Sequence, residues 1–111
     1  MTTESIETKV RDILTDGVEP YRWSEEVIAE NLVLALRRLA FLAPQARYVN
    51  GLLSDITALP ALKSDALAVD DRYEEALVYY VVHLCYSRDD PDTSNAELAN
   101  AYLAKAERLM V

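Results

Sequence analysis

The stretch DRYEEALVYYVVHLCYSR, residues 71–88, sets the architecture of the chain. Its opening, Asp71 to Glu74, reads as a capping box, with a short acceptor at the helix start and a Glu three residues on. Behind that start, Tyr73, Leu77, Tyr80, Val81 and Leu84 share one helical face, and Val78, Val82 and Cys85 cover much of the rest. A helix apolar nearly all round has to be enclosed by other elements. The expectation is therefore a buried helix running to Arg88 and stopped by Asp89-Asp90-Pro91-Asp92, with amphipathic helices packed around it.

The neighbours supply that cover. Ser94 with Glu97 suggests a second capping box, opening a helix through Met110. Leu98, Tyr102 and Leu109 mark one side of it, and Ala99, Leu103, Ala106 and Met110 the adjoining side, where small side chains let another backbone come close. Near the start of the chain, Ile6, Val10, Ile13 and Leu14 have the spacing of one buried face over Glu4–Thr15. Glu7 and Arg11 are placed to pair on its wet side, and Asp16-Gly17 stops it, since Gly accepts the left-handed C-cap conformation. Ser24 is a good N-cap, with Glu25 and Glu26 where the helix dipole favours negative charge. The helix it opens reaches Ala43 before Pro44. Ile28, Leu32, Ala35, Leu36, Leu39 and Leu42 form its main stripe. Val27, Leu34 and Phe41 lie roughly 120° away and make a second apolar strip. That strip reads either as contact with a second neighbouring helix or as a subunit contact.

Between these helices the pattern weakens. Asn50-Gly51, flanked by Arg47-Tyr48-Val49 and Leu52-Leu53, signals a short hairpin. Pro60 breaks the next segment, and Leu59, Leu62, Leu67 and Val69 are placed to pin an extended stretch onto the helices. The fold class is all-α: one domain over residues 1–111, about four helices, and a long, partly extended connection between the second and third. The composition agrees, with half the residues hydrophobic but only two glycines and four prolines.

Charge and motif content exclude several chemistries. The net charge of −8, from 19 acids and 11 bases spread along the chain, repels phosphate and disfavours both nucleic-acid binding and anionic membranes. The first six residues are polar and acidic, unlike a signal peptide, and no apolar run approaches the ~20 residues of a membrane helix. A lone cysteine excludes an internal disulfide. The only histidine, His83, is two residues from Cys85, which therefore faces away from it on a helix. It reads as a core or boundary histidine, not a base or a zinc ligand. Asp89, Asp90 and Asp92 lack the spacing, turn glycine and terminal Glu of a calcium loop. No catalytic residue, metal or cofactor is expected.

Contact chemistry is left. Tyr21, Arg22 and Trp23 are residue types that dominate interface hot spots, although Trp23 also sits where a hydrophobic staple would pack inward on Ile28. Tyr79 and Tyr86 point away from the third helix's main face. With Val27, Leu34, Phe41, Leu103 and Met110 they make up the candidate subunit or partner interface.

Two stretches resemble a known family: Glu19-Pro20-Tyr21-Arg22-Trp23-Ser24-Glu25-Glu26 ahead of a helix carrying Leu36-Arg37-Arg38-Leu39, and Asp71 to Val81 followed by an acidic turn, Asn95-Ala96 and Ala101-Tyr102. This order is similar to the head–tail connector (adaptor) proteins of tailed bacteriophages. The resemblance implies a helical structural protein without catalysis, forming a ring, commonly a dodecamer. Such a ring binds the portal protein above and tail components below, with DNA only as passing cargo and no membrane partner. It would sit in the virion at the head–tail junction after assembly in the host cytoplasm. A small cytoplasmic helical adaptor binding one partner protein is the alternative that residue chemistry leaves open.

Overall fold

The computed structural model describes residues 1–14, 23–49, 51–88 and 93–111. Among these, α1 spans Thr3–Leu14, α2 Glu25–Leu42, α3 Glu74–Arg88 and α4 Thr93–Met110. A 3-10 turn at Pro44–Arg47 leads from α2 into a hairpin of β1 (Tyr48–Val49) and β2 (Leu52–Leu53), and a second 3-10 turn, Asp71–Tyr73, leads into α3. The fold is the expected all-α bundle with one small hairpin. Its radius of gyration, 13.7 Å, is close to the ~13 Å of a compact chain of about this length.

Helix α3 is the hub, packed against α1, α2 and, most extensively, α4. Ala76, Leu77, Val81, Val82 and Cys85 are fully buried on it. Helix α4 runs antiparallel alongside, with Ala99 beside His83 and Tyr102 beside Tyr79. Buried Ala99 and Ala106 permit that close approach. Of the two sides predicted for α4, the one carrying Ala99, Ala106 and Met110 faces the bundle, while Leu98 and Leu109 are exposed.

The capping of α3 differs from the expectation. Asp70, not Asp71, is the cap: its carboxylate accepts from the Arg72 amide at 3.0 Å and opens the 3-10 turn. That turn delays the α-helix to Glu74 and frees the Asp71 carboxylate, which accepts from the Met1 amine at 2.8 Å. In α2 the Ser24 side chain does cap as expected, accepting from the Val27 amide at 3.1 Å. Its main stripe is buried at Ile28, Leu32, Ala35, Leu36 and Leu39. Asn31 is buried with them and donates to the Cys85 sulfur at 3.5 Å across the α2–α3 seam.

Helix α1 starts at Thr3 because Thr2 and Ser5 each accept from the other's amide at 3.0 Å, a reciprocal cap. The Glu7–Arg11 pair forms, but not on a wet side. Arg11 is buried, its Nε donating to Glu7 at 3.1 Å and its Nη1 to the Trp23 carbonyl at 3.0 Å. The guanidinium's fork of donors lets one side chain tie α1 to the residue before the α2 cap. The predicted Asp16-Gly17 stop and the 89–92 turn lie outside the described residues, as does Asn50.

The hairpin forms where Asn50-Gly51 predicts it, pairing Tyr48 with Leu53 and Val49 with Leu52. Gly51 has φ +79°, a conformation that disfavours any side chain with a Cβ. Beyond it the chain lies on the bundle as an irregular strap of turns and bends, not the extended stretch expected, pinned by buried Ile56, Leu67 and Val69 and half-buried Leu59. Leu62 is exposed and pins nothing; the neighbouring Lys63 holds the strap instead, pairing with Glu7 of α1 and Glu25 of α2. The Asp55 carboxylate accepts from the hydroxyl and amide of Thr57 at 2.6 and 3.0 Å, which lowers its pKa.

Candidate interaction surface

The candidate contact residues divide between core and surface. Trp23 is only 8% exposed and meets Tyr86 edge-on at 6.5 Å, so it belongs to the core. Met110, 1% exposed, is likewise interior, turned inward with Ala106 by the pitch of α4. Both leave the surface set, because a side chain already enclosed by its own bundle has no area left to give. Val27, Tyr86 and Leu103 are half-buried, Val27 and Tyr86 against the core. Tyr21 and Arg22 lie outside the described residues.

Leu34 and Phe41 behave differently. The second strip of α2 is uncovered along its C-terminal half, with Phe41 74% exposed and Leu34 partly so. Arg37 and Arg38 flank them on the same face. Arg38 stacks over the Phe41 ring at 5.5 Å and bonds Glu107 of α4 at 2.9 Å. Arg37 is exposed and makes no ion pair among the described residues. The result is an apolar ridge with one cation paired within the chain and one exposed to solvent.

A second exposed apolar group lies on the hairpin, where Tyr48, Leu52 and Leu53 stand in solvent. The turn residues locate this hairpin in the sequence, but they say nothing of the load its faces carry. Leu52 and Leu53 point to opposite faces of the ribbon and both are exposed, so neither face is fully laid on the core. At the end of α4, Leu109 and Val111 are exposed as well.

Along the α3–α4 seam, the two helices share a row of rings. Tyr86 stacks on Tyr102 at 6.0 Å, Tyr102 meets Tyr79 at 5.7 Å, and Lys105 lies over the Tyr102 ring at 5.1 Å. The Tyr79 hydroxyl donates to Glu75 at 2.9 Å, and that acceptor raises its pKa above the ordinary phenol value. Tyr79 also borders a groove of about 530 Å³ between α1 and the start of α3. Ile13 and Val78 line it apolarly; Asp12, Asp71, Glu74 and Glu75 stand against Lys9 and Arg72. Lys9 pairs with Glu74, and Arg72 folds over the Tyr73 ring at 4.8 Å. Asp12 is exposed without an ion-pair partner among the described residues.

His83 is a boundary residue, as expected. Its Nδ1 lies 2.9 Å from the Ala99 carbonyl, which can only accept, so that nitrogen carries the proton. The bond fastens α3 to α4. Among the described residues, no group of three or more His, Cys, Asp or Glu side chains could hold a metal ion, and no helix is long and apolar enough to cross a membrane. The arrangement offers contact surface: exposed apolar residues on α2, on the hairpin and at the end of α4, and a charged groove. In comparisons with known proteins, no family model, curated protein or solved structure matches the chain.

Proposed function

We propose that the protein is a head–tail connector of a tailed bacteriophage, a structural subunit that forms a ring of the twelve-fold kind and has no catalysis of its own. The observation that carries this reading is apolar surface left over after the core is full. Leu34, Phe41, Tyr48, Leu52 and Leu53 remain in solvent although α3 is already enclosed on three sides. Exposed apolar groups on separate elements suit a heterologous contact, in which two different patches of each copy meet and the series closes into a ring. The order of short motifs around Trp23 and Tyr73 supplies the phage context.

In this role the portal protein lies above the ring and tail components below. The subunit assembles in the host cytoplasm and ends in the virion at the head–tail junction. DNA passes through the lumen as cargo. The net charge of −8 supports that passage, because carboxylates facing the duplex keep its phosphates from adhering.

The deciding experiment mixes the purified chain with purified portal rings and follows co-sedimentation, then images the complex. A ring of this chain stacked coaxially on the portal is the expected result. Failure to bind portal rings, together with tight one-to-one capture of a single cytoplasmic protein, overturns the connector in favour of a small adaptor.

A further inference from the structure

Two parts of the surface are complementary. The exposed half of α2 is a ridge of Leu34, Arg37 and Phe41, spaced at i, i+3 and i+7 on one face. The groove between α1 and α3 has half-buried Ile13 and the Tyr79 ring among lining side chains that carry four carboxylates against two cations. Both of those cations are engaged within the chain, Lys9 by Glu74 and Arg72 by Tyr73. Asp71 is held by the Met1 amine, so the groove keeps a surplus of one negative charge, and the ridge presents Leu34 and Phe41 around a solvent-exposed guanidinium. No residue belongs to both, so one copy can give its ridge while receiving another's.

We infer that a second copy of this chain seats the Leu34–Arg37–Phe41 ridge of its α2 in the groove between α1 and α3, with Arg37 against Asp12. The inference rests on the ring reading and names the contact that would build the ring. The groove has room for the ridge side chains: at about 530 Å³ it lies within the ~300–1,000 Å³ range of clefts that take a drug-sized ligand. The charges are suitable too. Asp12 and Arg37 are each exposed and without an ion-pair partner among the described residues. Their pairing therefore breaks no existing bridge. Phe41 and Leu34 would cover half-buried Ile13 and the Tyr79 ring, removing apolar area from water on both copies.

Because the contact is heterologous, a charge swap within one chain is a clean test. Arg37→Glu places two acids at each junction and Asp12→Arg places two bases. The double variant restores an opposite pair at every junction with reversed polarity. Sedimentation velocity over a concentration series is the measurement, with far-UV circular dichroism confirming that each variant is folded. The expected result is reversible self-association of the wild type, weakened about tenfold or more by either single reversal and substantially recovered in the double variant. A wild type that stays monomeric at about 1 mM overturns the inference. So does association indifferent to both reversals, or a double variant no better than the singles. None of these results touches portal binding, which tests the connector reading separately.

Discussion

Helices α2 and α3 carry the same excess and meet opposite fates. Each has more apolar surface than one face requires. On α3 that surplus is covered within the chain, so Val78, Val82 and Cys85 are as hidden as Leu77 and Val81. On α2 the cover stops short, and Leu34 and Phe41 remain in water. Periodicity reports how much of a helix is apolar, but only the arrangement of the other helices decides which strip they reach. Helix α3 lies between three helices, whereas α2 turns one long side outward.

That contrast can be tested position by position. Leu77→Ala in α3 should cost about 3 kcal/mol in urea unfolding, because a fully buried leucine leaves a cavity its neighbours cannot fill. A loss under about 1 kcal/mol would show that α3 is not enclosed as described. Gly51→Ala should cost about 1 kcal/mol. No atom lies within 4 Å of the added methyl, so the cost is purely that of the positive φ, and an unchanged midpoint would contradict the turn. At the seam itself, Asn31→Leu should be neutral or stabilising by up to about 1 kcal/mol, since among the described residues the buried Asn31 Oδ1 has no hydrogen-bond partner to lose. Marked destabilisation would mean that the amide holds α2 and α3 in register. The smallest expected change is Phe41→Ser, within about 0.5 kcal/mol of wild type by the same assay. A large loss there would place Phe41 in the core and erase the difference between the two helices.

Much of this architecture could be read from the residues. The four helices, the Ser24 cap, the hairpin at Gly51 and the buried status of α3 arise from periodicity, capping chemistry and one glycine. Other features depended on distance in space. Whether Trp23 turns inward depends on Tyr86 and Arg11, which lie 63 and 12 residues away. Met110 and Leu109 are adjacent on α4, and which of them is hidden depends on how α4 rolls against α3. Asp70 displaced Asp71 as the cap because both are acceptors and an inserted 3-10 turn chose between them. The groove was invisible for the same reason: Asp12 and Val78 share it without any local pattern linking them.

The burial of Cys85 gives the protein an internal clock. As the sole thiol, with no exposed surface, it is closed to a disulfide-forming dye until α2 and α3 part. When closing outpaces labelling, the rate at which native protein takes up the dye measures the free energy of that separation. If assembly clamps the helices together, a subunit within a ring will label more slowly than the same subunit alone.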